Sequence, residues 1–254
     1  MDEIEVVVAH SERATLRVGD VFLKVDTDPA HAAVEIRGMQ LAPVPTPPVL
    51  WHRPPVLAIA RVPGCALGVL GEPSPATAGA WHAAGRVIRR LHEAPLPPGT
   101  TRPVAELRAA LDRECDWLLK TAVVPAEMVH RNRAIAEQAL RPVAPAFIHG
   151  DLQITHVFVD GDEVTGIIDW SEAAPGDPMM DLAVLTLGHE ERLEDLLAGY
   201  DTDGRQPADR TAIRAWWSLR SLTAARWLLE HGFAPDAPGC EFDVLRARMD
   251  DPAP

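Results

Sequence analysis

The stretch FIHGDLQITHVFVDGDEVTGIIDW, from Phe147 to Trp170, constrains this chain more than any other. Its apolar runs read as short strands, yet they carry His149, Asp151, His156 and Asp169. Titratable groups are disfavoured where a strand wants Val or Ile, unless they face water or carry out chemistry. A turn at Asp160-Gly161-Asp162 folds the ribbon back, so Asp151 and Asp169, each at a strand end, can share one pocket. Two facing carboxylates repel, and one pKa rises unless a cation lies between them. A hard divalent ion such as Mg²⁺, held by one or two carboxylates and by substrate phosphates, resolves that repulsion. The second carboxylate is then free to act as a base.

The 254 residues suffice for one large domain or two small ones, and 47% of them are hydrophobic, enough for a sizeable core. No apolar run approaches the roughly 18 residues that span a bilayer. The opening MDEIEVVVAH lacks the basic segment of a signal peptide. Cys65, Cys115 and Cys240 are odd in number and far apart, which fits reduced thiols in a cytoplasmic protein better than disulfides or a zinc site. A formal net charge of −13 argues against a nucleic-acid partner and is compatible with a cationic small substrate. Lysine occurs only at Lys24 and Lys120, all other basic positions apart from histidine being Arg. That singles out Lys24, since the two cations differ in shape and hydration.

Along the chain, residues 3–26 read as three short strands, with a hairpin signal at Gly19-Asp20. Asp28-Pro29 opens a helix expected over Ala30–Gln40. The Pro-rich APVPTPPVLWHRPP reads as an extended connector, and Val56–Val62 as a buried strand. Helical spacing then predicts Ala76–Glu93, Val104–Ala122 and Ala126–Leu140. Strands are expected at Ala146–His149, His156–Val159 and Glu163–Asp169, and helices at Pro178–Leu187, Glu190–Tyr200 and Ala208–His231. The tail from Pro235 is expected to fray. The order predicts an α+β chain with a small β-rich N-lobe, 1–62, and a mostly helical C-lobe, 63–254, the cleft between them being the natural ligand site.

HGDLQITH, GIIDWSEA and GDPMMDLA together resemble the aminoglycoside phosphotransferase family, relatives of choline kinase and more distantly of protein kinases. The resemblance covers at least residues 15 to 200. It implies a two-lobed, protein-kinase-like fold and transfer of a phosphoryl group from ATP or GTP, with Mg²⁺ or Mn²⁺, to a hydroxyl of a small molecule. Asp151 matches the catalytic base and His149 the supporting His of its loop. Asp169 matches the metal-binding acid, and Asp181 a structural acid after the GDP turn. Lys24 matches the residue that binds the nucleotide's α/β phosphates, and Glu35 its ion-pair partner. LAIARVPG resembles the inter-lobe hinge, where Ala60 C=O and Val62 N–H would bond a purine. GRVIRRLH, Gly85–His92, resembles the helix beneath the catalytic loop.

Two departures stand out. The usual second metal-binding Asn is His156, which could hold a softer metal, contact phosphate, or leave one metal site unused. No Gly-rich phosphate loop exists, and Ser11 at the first strand turn is expected to bond phosphate instead. Glu172 and Asp177, near the base, are candidate substrate contacts. Trp216 and Trp217 are expected to face core and surface of one helix. The resemblance implies an antibiotic such as an aminoglycoside, or a small metabolite; choline, homoserine, nucleoside antibiotics and macrolides stay open. Two rival readings are a metal-dependent phosphohydrolase using His149, Asp151, His156 and Asp169 as ligands, and a nucleotide-binding pseudokinase. No motif speaks to the oligomeric state.

Overall fold

The N-terminal sheet starts from a tight hairpin, whose Gly19 takes a positive φ of 58° that favours glycine. The computed structural model describes residues 4–9, 13–202, 206–236 and 241–250. Strands β1 (Ile4–Ala9), β2 (Arg13–Val18), β3 (Val21–Asp26), β4 (Val49–Arg53) and β5 (Val56–Ala60) form an antiparallel sheet in the order β1-β2-β3-β5-β4. Helix α1 (Pro29–Leu41) follows β3; Asp28 caps it by accepting from Ala30 N–H, and Pro29 fits its first turn. The connector reading of residues 42–55 is corrected by β4. That strand lies at the sheet edge, where flanking prolines cost no ladder bonds, so its Pro-rich neighbourhood hid it.

The remainder is mostly helical. It holds β6 (Cys65–Ala66), α2 (Ala78–His92), α3 (Val104–Thr121), α4 (Ala126–Ala136), β7 (Ala146–Ile148), β8 (Val157–Asp160) and β9 (Glu163–Ile167). Then come β10 (Ala174–Gly176), α5 (Pro178–Leu185), α6 (Leu193–Tyr200), α7 (Arg210–Glu230) and α8 (Glu241–Ala247). β8 and β9 form the expected hairpin and β6 pairs with β8, whereas β7 pairs with β10 in a separate ribbon. His156 is not in a strand: a single 3₁₀ turn at Ile154–His156 precedes β8. The core gathers Trp81, Ile88, Leu111, Phe147, Leu152 and Trp170, all fully buried.

The C-terminal segment departs from its reading as a fraying tail. In α8, Phe242, Val244 and Leu245 are buried, and each such side chain is worth roughly 1.5–3 kcal/mol when removed from water. Trp216 and Trp217 are likewise both buried, not one in and one out. Helix α7 is packed by α3, α4, α5 and α8, so little of its surface meets water. Among the described residues no helix is long and apolar enough to cross a membrane.

Helix α2, which packs against β7, meets α6 at two glycines. A Cβ at Gly85 would overlap the Leu196 carbonyl, and one at Gly199 would overlap the His82 carbonyl. Backbone cannot step aside as a side chain can. Gly199→Ala is therefore expected to destabilise by about 1–3 kcal/mol, more than the ~1 kcal/mol by which Ala exceeds Gly in a helix. Thermal unfolding should register a drop of about 2–4 °C for each kcal/mol, and an unchanged Tm would show that the helices need not touch.

Candidate active site

Cross-strand register decides what the N-terminal sheet offers the cleft. Thr15 lies opposite Lys24 and Arg13 opposite Asp26, so the two pairs share a face, one pleat apart. Lys24 Nζ meets both carboxylate oxygens of Glu35 on α1, at 2.6 and 2.7 Å. It also meets Asp169 Oδ1 at 2.7 Å, across the junction to the helical part. Glu35 is 3% exposed, so its charge is compensated by the lysine. Asp169 sits in the left-handed region at φ 65°, a conformation that Asp tolerates better than most residues and that marks a site held by its surroundings. Burial works against its charge, but Lys24 foremost, then His156 and Arg13, outweigh it and hold the carboxyl well below the usual carboxylate range. Arg13 Nη1 stands 3.7 Å from Asp169 Oδ1.

The catalytic loop follows β7 and is fixed from below. Gly150 has φ 88°, and a Cβ there would strike the Glu172 carbonyl, so only glycine fits. Fully buried Asp181, in the first turn of α5, accepts from His149 N–H at 2.7 Å and Gly150 N–H at 3.0 Å. Its Oδ2 also accepts from His92 Nε2 on α2 at 3.1 Å. His92 Nδ1 in turn accepts from the Tyr200 hydroxyl at 2.9 Å, and burial pushes that phenol up to about 12. These donors hold Asp181 ionised against the cost of its burial, and below the usual range.

His149 is fully buried. Its Nε2 donates to Ile168 C=O at 2.9 Å and its Nδ1 accepts from Asp151 N–H at 3.3 Å. The two bonds fix one neutral tautomer, and burial pushes its pKa down. Both nitrogens of His149, the expected supporting His of the loop, are thus engaged, one of them by the backbone of Asp151. The Asp151 carboxylate accepts from Gln153 Nε2 at 2.9 Å and from Arg220 Nη2, on α7, at 3.1 Å. His156 Nδ1 donates to Asp151 C=O at 2.8 Å, and its Nε2 lies 3.9 Å from Asp169 Oδ2. So His156 is bonded to the backbone of one acid and stands near the side chain of the other without bonding it.

A cavity of about 850 Å³ opens beside this loop, lined by Gly150, Glu172 and Arg220, with an apolar wall of Val104, Leu107, Ile148 and Leu219. Glu172 is exposed. Asp177, expected to contact substrate, is already engaged. It caps α5 by accepting from Met179 N–H at 3.0 Å and accepts from Trp216 Nε1 at 2.9 Å. Its Asx turn before Pro178 was the sequence signal for this structural role. Ala60 closes β5, donating N–H to Pro48 C=O at 2.9 Å, and buried Val62 lies just beyond it, packed over Gly166. Ser11 falls outside the described residues. The side-chain contacts of Arg13, Gln153 and Arg220 were not read from the sequence. Arg13 ends the Ser11-Glu12-Arg13 turn and Gln153 lies inside HGDLQITH, whereas Arg220 sits in a helix with no signature.

Among the described residues, no three His, Cys, Asp or Glu side chains are grouped to hold a metal by themselves. Asp169 is a single carboxylate of the kind that holds Mg²⁺ together with substrate phosphates. His156 Nε2 offers a nitrogen, a donor better matched to softer ions.

The profile of the phosphotransferase enzyme family matches residues 7–216. Viomycin phosphotransferase of Streptomyces vinaceus is 32% identical over 189 residues, covering 68% of this chain and 64% of that protein. The chain spans less than two thirds of the length of the curated relatives it matches. A choline/ethanolamine kinase family protein from Mesorhizobium loti superposes with a TM-score of 0.71 over 98% of this chain and 89% of its own, at 21% identity, a likeness of fold. Aminoglycoside phosphotransferase APH(3'')-Id from Streptomyces rimosus, at 25% identity, superposes with a TM-score of 0.64 over 87% of this chain and 92% of its own. That protein has also been solved in complex with ADP and streptomycin. With the family match running from the first strand into α7, this chain belongs to the phosphotransferase enzyme family.

Proposed function

We propose that this chain transfers the γ-phosphoryl group of ATP or GTP to a hydroxyl of a small molecule, as an antibiotic kinase does. One observation carries the reading: Lys24 bridges Glu35 and Asp169 across the lobes, while the Asp151 carboxylate is bonded by Arg220, which lines the cavity together with Gly150. Lys24, fixed by Glu35, would hold the α/β phosphates. Asp169 would hold a magnesium ion, which neutralises phosphate charge when bound. Asp151 orients the acceptor hydroxyl and takes its proton. The hydroxyl oxygen bonds to the γ-phosphorus as the bond to the β-phosphate oxygen breaks, and ADP (or GDP) leaves. Both Asp151 oxygens already accept one bond each, and each keeps a second lone pair for the incoming hydroxyl. Ala60 and Val62 would supply the backbone edge for the purine.

Charge around the cavity narrows the acceptor. Arg141 pairs with Asp209 at 3.1 Å and Arg220 with Asp151. Asp177 is engaged, and Glu106 and Glu172 have no ion pair among the described residues, opposite an exposed Arg102. Two available carboxylates suit an alcohol with one or two amines better than a polycation. The viomycin-named relative supports an antibiotic among such alcohols. The hydrolase alternative loses a ligand, because both ring nitrogens of His149 are engaged.

An ATP-consumption screen over cationic, nucleoside and macrolide antibiotics, choline and homoserine tests the reading directly. With an acceptor in hand, Asp151→Asn should lower kcat by about 10²–10⁴-fold while ATP binding persists. Intact turnover in that variant would remove Asp151 from the chemistry, and a wild-type protein that binds nucleotide yet phosphorylates nothing would be a pseudokinase. His156→Asn should shift the preferred ion from Mn²⁺ towards Mg²⁺. An unchanged ratio of the two activities would take His156 out of the metal site.

A further inference from the structure

We infer that Arg13 is a second phosphate-binding cation for the nucleotide, doing with a guanidinium what a glycine-rich loop would do with backbone N–H groups. The inference rests on the nucleotide reading above. It starts from the register: Arg13 begins β2 opposite Asp26, and Thr15 is opposite Lys24, so the arginine leaves the sheet on the same face as the lysine. Its direction is then fixed. Asp26 is buried; its Oδ1 accepts from Asp28 N–H at 2.8 Å. Its Oδ2 faces His31 Nδ1 at 3.0 Å and accepts from Arg13 Nε at 3.0 Å. A guanidinium tethered through Nε keeps its terminal N–H groups free to meet another anion.

Those terminal groups turn towards Asp169, yet Nη1 stops at 3.7 Å, too far for a hydrogen bond. Asp169 Oδ1 is already taken by Lys24 at 2.7 Å. A plain cross-strand salt bridge accounts for the Nε bond to Asp26 but not for the remaining edge, which reaches the cleft unsaturated beside the lysine. Arg13 keeps 27% of its side chain exposed there. Lys24 is matched by Glu35, and Arg13 by Asp26, so both cations are held in place and neither is consumed by Asp169 alone. A planar fork of donors is the side chain that best matches phosphate oxygens. The chain has no glycine before Gly19, so no glycine-rich turn between β1 and β2 competes for that role.

Binding of ATP, ADP and adenosine is measured on wild-type protein and on Arg13→Ala, by calorimetry in Mg²⁺. We expect ATP and ADP affinity to fall about tenfold or more, adenosine affinity to be unchanged, and Arg13→Lys to recover part of the loss. A purely structural salt bridge would lower Tm and weaken all three ligands alike, or none, and either outcome overturns the inference. If Arg13→Ala does not fold, Arg13→Gln keeps a side-chain donor for Asp26 without the charge, and the same comparison decides. If the wild-type protein binds the guanine set instead, the same comparison is made with GTP, GDP and guanosine; protein that binds neither set would refute the nucleotide reading itself, and this inference with it.

Discussion

Everything near the cleft is arranged around one buried carboxylate. Asp181 has no exposed surface, and taking a carboxylate out of water costs several kcal/mol unless donors replace the water. It is met by two backbone N–H groups of the catalytic loop and by the imidazole of His92. Because the charge tolerates no missing donor, the loop, α2 and α5 have only one mutual arrangement. From there the order propagates upward. The loop backbone places His149, whose ring bonds Ile168 C=O and Asp151 N–H, and Asp151 C=O in turn holds His156. Asp151 and His156 are thus two and three hydrogen bonds removed from the acid that sets them.

A second acid governs the opposite wall. Asp169 is strained in its backbone and crowded by cations, Lys24 within hydrogen-bonding distance and Arg13 and His156 somewhat farther. Its ionised form is strongly preferred, because the cations around it outweigh the cost of its burial. The two acids divide the work. Asp181 is closed to ligands and rigid, whereas Asp169 faces the cleft.

The readable part of this site lay in short runs. His149, Asp151 and Asp169 stood out as titratable groups at the ends of apolar runs, whereas Asp181 and the roles of all four came from the resemblance of HGDLQITH, GIIDWSEA and GDPMMDLA to a known family. Lys24 was conspicuous because lysine is nearly absent, and Glu35 because it sits on the helix that follows. The unreadable part depended on distance. Arg220 reaches Asp151 from a helix 69 positions away, and nothing in SLRSLTAAR distinguishes it from a surface arginine. Asp177 has duties that its place beside the motifs did not show: besides lining the cavity, its carboxylate caps a helix and accepts from the Trp216 indole. β4 and α8 escaped for a similar reason: a Pro-rich edge strand and a terminal helix owe their order to partners elsewhere, β5 for one and α7 for the other.

Local sequence therefore determined most of the element order and the β8–β9 hairpin, because turns, caps and strand periodicity are settled by neighbours in the chain. Tertiary structure alone decided which charges remain available. A carboxylate or guanidinium reads the same in sequence whether it is capped, paired or open. Only the packing of helices and strands from far along the chain fixes which donors reach it, and hence which groups are left to meet a ligand.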